Sequence, residues 1–163
     1  MAIVTFLLAF MLFTLSEYAF RQKLGPFVNG VMTVRPAARL VALLAPAEHV
    51  QAHGDRIQSS LAYVRVAQGC EGVDVMLMFV AGMLAVRTSW KRTVAGCVTG
   101  VFILYLCNLG RVAGLWFCVR YWPARFEAMH VIVGQTAIIV VAVMLLALGT
   151  RGFVPLPRRA ENP

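Results

Sequence analysis

The chain has 163 residues, of which 60% are hydrophobic and only 13% charged, and its mean hydropathy is +0.77. A soluble domain is about half apolar and about a quarter charged, so this composition describes an integral membrane protein, one domain over residues 1–163, that packs helices in lipid. The net charge is +8, but Lys and Arg sit at the ends of apolar runs, as Arg21/Lys23, Arg87/Lys91/Arg92 and Arg158/Arg159. That placement fits anchors in contact with membrane lipids and argues against a nucleic-acid partner.

Ile3 to about Phe20 is the first candidate span, long enough for a ~30 Å hydrocarbon core. It lacks a basic leading region and a small-x-small cleavage site, so it reads as a retained helix. Arg21-Gln22-Lys23 and Gly25-Pro26 are expected to end it. From 27 to 50, Arg35, Pro36 and Arg39 interrupt the apolar run, while Leu40, Leu43 and Leu44 recur at helical spacing. This predicts an amphipathic helix at the interface, ending near Pro46. His49 to Gln68 is the most polar stretch, and its weak alternation from Ile57 onward predicts a short strand or hairpin.

Val73–Val86 is the second span, opened by the turn Gly69-Cys70-Glu71-Gly72 and closed by the basic loop Arg87–Arg92. The third runs from Thr93 past Asn108 and Arg111 to about Val119. The aromatic and basic cluster Arg120-Tyr121-Trp122-Pro123-Ala124-Arg125 then marks a membrane interface. His130 opens the fourth span, Val131 to about Leu148. The expected fold is therefore all-α, with about four transmembrane helices (3–20, 73–86, 93–119, 131–148). Residues 21–72 form a non-spanning segment holding the interfacial helix and a loop or hairpin.

The cysteines are at 70, 97, 107 and 118, with no C-x-x-C pair, so neither a zinc site nor a disulfide framework is expected. No cofactor is expected either. Cys97, Cys107 and Cys118 fall in or near apolar helices, where cysteine serves as a small hydrophobe, although Cys107 and Cys118 share a helical face with Arg111. Cys70 stands apart, because Val66-Ala67-Gln68-Gly69-Cys70-Glu71-Gly72-Val73-Asp74 surrounds it with glycines and carboxylates. It is either a buried small side chain or a nucleophile.

Counting spans brings three distant residues to one face of the bilayer. Cys70 precedes the second span; the third returns from the opposite side, and at ~1.5 Å per residue Arg111 lies roughly 27 Å beyond Thr93. His130 begins the fourth span on that same side. An arginine inside a span is costly in lipid and is usually functional or paired; it cannot act as a base, so its work is to stabilise an oxyanion or hold a carbonyl. Asn108 lies one turn before it. His130 can serve as base and acid, or simply anchor a helix, and Glu127 is placed to orient it. Together these groups suit cysteine acyl transfer: imidazole takes the thiol proton, the thiolate attacks a peptide carbonyl, and a thioester forms. Glu71 and Asp74 lie near the thiol, as carboxylates that could position His130 or a substrate cation. Lys and Arg counts alone do not fix the orientation in the membrane.

Gly-Cys70-Glu-Gly before one span, Asn108-Leu-Gly-Arg111 late in the next and His130-x-x-x-Gly134 opening the last resemble the exosortase/archaeosortase family in order and spacing, over roughly Ala37 to Leu148. The resemblance implies a cysteine transpeptidase or protease of the bacterial cytoplasmic (inner) membrane with its site on the extracytoplasmic face. Its substrates would be secreted proteins with a C-terminal sorting signal, cleaved and passed to an acceptor in the cell envelope. It implies Cys70 as nucleophile, Arg111 as the substrate or transition-state arginine and His130 as acid and base. Glu71 departs from the Ser or Asn common after the family's cysteine; a carboxylate there opposes a neighbouring thiolate, or marks different substrate recognition. The competing readings are a non-catalytic membrane subunit or transporter component, and a thiol oxidoreductase, which the missing C-x-x-C disfavours.

Overall fold

The computed structural model describes residues 2–67, 69–86 and 89–150, apart from the side chains of residues 2, 17, 19–23 and 150. Gln68, Arg87, Thr88 and the tail with Arg151, Arg158 and Arg159 lie outside the described residues, as do the side chains of Arg21 and Lys23. The described residues are 80% helical. Three stretches, Leu24–Leu44, Trp90–Tyr121 and Ala128–Gly149, are long and apolar enough to cross a membrane.

The first helix does not stop where the glycine and proline were expected to stop it. Helix α1 covers Ala2–Pro26 and passes directly into a π-helical stretch, Phe27–Val34, and then into α2, Arg35–Leu44. Proline lacks an N–H donor and crowds the preceding turn of a regular helix. The wider i→i+5 turn that follows Pro26 carries the chain past that defect. Inside it, the Thr33 hydroxyl donates to the Val28 carbonyl, and Tyr105 donates to the Met32 carbonyl at 2.8 Å.

The face that α2 packs inside the protein is not the one that carries Leu43 and Leu44. Leu43 and Leu44 are exposed, and the buried stripe is Val34, Ala37, Ala38 and Val41. Small alanines let the helix approach its neighbours closely, which the bulkier leucines would prevent. That stripe meets a matching one, Leu109, Val112, Ala113 and Trp116, on α4 (Trp90–Tyr121). Both stripes follow the i, i+3, i+4, i+7 spacing of a single helix face.

The polar stretch folds as a small antiparallel sheet, β1 (Gln51–His53), β2 (Arg56–Gln58) and β3 (Tyr63–Arg65), in that order. Ile57 pairs with both Ala52 and Val64, so the centre of each strand points one way. Ile57 and Val64 are buried against α2 and α4, whereas Gln51, His53, Arg56, Gln58, Tyr63 and Arg65 are exposed. This is the period of two expected of a half-buried sheet. Trp116 is fully buried at the heart of this cluster, and truncating it to alanine would cost about 3–5 kcal/mol.

Helix α3 (Val73–Ala85) begins and ends within a residue of expectation, but at ~1.5 Å per residue it covers only ~20 Å. It packs with α4 and with α5 (Gln135–Thr150) in a second cluster of Phe79, Met83, Leu104, Ile138 and Ala142. Gly100 makes that contact close: a Cβ there would overlap the Phe79 ring. The structure is thus layered, with α1, α3, α5 and the first half of α4 in one layer. Helix α2, the sheet and the second half of α4 form the other.

Candidate active site

The junction between the two layers holds the loop from Val66 to Gly72. Its start is tied by Asn29, a buried residue of the first π-helical stretch, whose amide donates to the Val66 carbonyl at 2.7 Å. Its end is tied by Asn108 of α4, fully buried, whose amide donates to the carbonyls of Cys70 at 3.2 Å and Glu71 at 2.8 Å. Gly72 completes the clamp. Its φ is +79°, the left-handed region that favours glycine, and a Cβ there would sit 2.9 Å from Asn108 Cγ.

Glu71 is buried, and its carboxylate folds back to accept the Gly69 N–H at 2.6 Å. The charge that looked out of place beside a thiol is therefore engaged in closing the turn. Asp74 is exposed in the first turn of α3, where a carboxylate is favoured by the helix dipole.

His130 lies in a second π-helical stretch, Ala128–Gly134, which leads into α5. Its Nε2 is 3.3 Å from Cys70 Sγ. The ring stacked on the imidazole belongs to Phe126, with centroids 5.6 Å apart and planes within 5°. Glu127, the expected orienting group, is exposed. Phe126 was missed in the sequence, although its position one turn before His130 is where a helical side chain can reach the ring.

Arg111 sits between the loop and the second π-helical stretch. Its Nη1 donates to Asn108 Oδ1 at 3.4 Å, and its side chain crosses Gly134, where a Cβ would lie 2.9 Å from Nε. Gly134 is therefore small because the arginine occupies the space of its side chain. Nε and Nη2 are buried and, among the described residues, without a hydrogen-bond partner. A buried unpaired donor costs about 1–3 kcal/mol and more when charged, so these two N–H groups are suited to an incoming acceptor. The structure thus brings together Cys70, Glu71, Asn108, Arg111 and His130, and leaves Asp74 and Glu127 at the surface.

Arg111 also lines an apolar groove of about 610 Å³ between α4 and α5, with Cys107, Gly114, Phe117, Ala137 and Val141 along it and Trp122 and Arg125 at its polar end. The groove spans both layers of the fold.

The Cys70 thiol thus meets an imidazole, and Arg111, with two N–H groups unpaired among the described residues, bonds the asparagine that holds the Cys70 carbonyl. Over residues 1–148 the chain matches the transmembrane exosortase family (Exosortase_EpsH), and it belongs to that family. Membership suggests a membrane transpeptidase-like role. No curated protein and no solved structure matches the chain.

Proposed function

We propose that this protein is a membrane cysteine transpeptidase that cleaves C-terminal sorting signals of secreted proteins and passes the acyl group to a nucleophile of the envelope. The observation that carries the reading is the 3.3 Å contact between Cys70 Sγ and His130 Nε2, with Arg111, whose Nε and Nη2 have no partner among the described residues, bonded to the asparagine that clamps the Cys70 loop. Imidazole takes the thiol proton as sulfur attacks the scissile carbonyl. Arg111 stabilises the oxyanion, and the proton on His130 goes to the leaving amine as the C–N bond breaks. The resulting thioester is opened by an acceptor nucleophile or water, whose proton His130 removes, and Cys70 leaves as the thiol.

In this reading the layer of α1, α3, α5 and the first half of α4 is the four-span membrane part of the chain. The layer with the polar sheet lies on the extracytoplasmic side of the bacterial inner membrane. Leu24–Leu44 has the length of a span, yet its buried face packs on strands whose other faces carry Arg56, Arg65 and Gln58. Polar strand surfaces belong in water rather than hydrocarbon, so α2 is placed outside with the sheet. Cys70 then sits at the membrane surface, where a motif just ahead of a substrate's membrane helix would present its carbonyl.

The test compares envelope proteins of cells carrying the wild type and Cys70→Ala. Secreted proteins with uncleaved C-terminal signals should accumulate in the variant, and His130→Ala and Arg111→Met should act likewise. Unchanged processing in Cys70→Ala would sink the enzyme reading in favour of a non-catalytic subunit.

A further inference from the structure

Two glycines on α4 are unexplained by the packing of the chain. Gly110 and Gly114 are exposed and one turn apart, and among the described residues a Cβ at either would meet nothing within 4 Å. Neither has a positive φ. A glycine inside a helix is less favourable than alanine, so this pair weakens α4 with no return inside the molecule. Gly110-Arg111-Val112-Ala113-Gly114 has the small-x-x-x-small spacing that lets a second helix approach a membrane helix closely.

The place where they lie narrows the partner. Gly114 lines the groove between α4 and α5, and the facing wall is also small there, at Gly134 and Ala137. From Cys107 to Trp122 the groove covers ~22 Å along the second half of α4 at ~1.5 Å per residue, and its facing wall, from Met129 to Val141, leads down into α5 of the membrane layer. Arg111, with its unpaired donors, lies within it and reaches through Asn108 to the loop of Cys70. Arg111 is thus shared between the groove and the proposed reaction centre.

We infer that this groove is the docking site for the outer end of the substrate's own membrane helix, seated with its backbone against Gly114, with Gly110 exposed one turn before it on α4. The inference rests on the sorting-signal reading above. It gives Arg111 a second task, since the residue that meets the scissile carbonyl also forms part of the helix cradle. Two other occupants fit less well. A second copy of the chain packed through the same glycines would bring two Arg111 side chains together, and like charges in an interface are unfavourable. A lipid acyl chain has no backbone to bring close and draws nothing from glycine.

The experiment separates stability from docking. Gly110→Ala and Gly114→Ala add a methyl that meets nothing among the described residues, so the melting temperature in detergent should rise or hold. Processing of a protein that accumulates uncleaved in Cys70→Ala cells should fall several-fold in each, and at least ten-fold in Gly114→Leu. Full-length Cys70→Ala carrying benzoylphenylalanine in place of Phe117, which lines the groove, should crosslink under light to the apolar C-terminal segment of that same protein. Wild-type processing by Gly114→Leu overturns the docking site while leaving the enzyme reading intact. Adducts with lipid alone, or with a second copy of this chain, overturn it as well. If Cys70→Ala causes no accumulation, the reading beneath the inference fails first.

Discussion

Replacing Asn108 by alanine probes the joint between fold and chemistry. The side chain is fully buried and holds two backbone carbonyls of the nucleophile loop, at 3.2 and 2.8 Å, while accepting from Arg111. Alanine leaves those carbonyls without their donor, at about 2–3 kcal/mol together. If that energy is what holds Cys70 against His130, processing falls roughly 30- to 150-fold. The assay is the processing rate in membranes at matched protein abundance. Asn108→Asp supplies the decisive contrast. A carboxylate keeps an acceptor for Arg111 but sets negative oxygens against two carbonyl oxygens, so loop clamping predicts an aspartate variant at least as impaired as alanine. Were Asn108 needed only to hold Arg111, aspartate would restore activity. A rate within three-fold of wild type for alanine, or rescue by aspartate, refutes the clamp.

Gly134→Ala places a methyl 2.9 Å from Arg111 Nε and 3.0 Å from the Met129 carbonyl; processing should drop at least ten-fold at unchanged abundance, measured in the same assay. Arg120→Met leaves Glu48, one of whose buried oxygens already has no partner among the described residues, to lose its 2.8 Å bond as well. Thermal unfolding in detergent should show a loss of about 1–3 kcal/mol, largely recovered by adding Glu48→Gln. The hydrogen bond from Arg65 holds the Asp55 carboxyl below its ordinary value of 3.8. Its contribution to the sheet is therefore complete above that value and is lost as pH falls through the lower folded one. The pair is exposed, so the effect is small; the protection of β2 and β3 amides, taken relative to the intrinsic exchange rate at each pH, should fall in acid in the wild type and lose that fall in Asp55→Asn.

The long apolar runs made α4 and α5 readable in the sequence, and Gly69–Gly72 marked the start of α3 to within a residue. Span counting was enough to put Cys70, Arg111 and His130 on one side, because helix length alone fixes which ends meet. Two kinds of feature were not readable. The helix through Gly25 and Pro26 depends on a wide turn supported from outside by Tyr105, a residue far along the chain. The choice of alanines over leucines as the buried face of α2 depends on how near α4 and the sheet can come. At the site, Glu71 looked like a threat to the thiol because its neighbours in sequence were visible and the Gly69 N–H that donates to it was not. Asn108 was legible as a polar residue near Arg111, but its two bonds to the loop require the register of α3 against α4.

The wide turn at Ala128–Gly134 has a mechanical consequence. Each residue of a regular helix advances the side chain by about 100° around the axis. Shortening this segment by one residue, or tightening it to regular pitch, would swing the imidazole to another side of α5 while the span below stayed seated. The meeting of nitrogen and sulfur is thus set by the phase of a helix, as a cam sets a valve, and the rest of the membrane layer need not move for it to be made or broken.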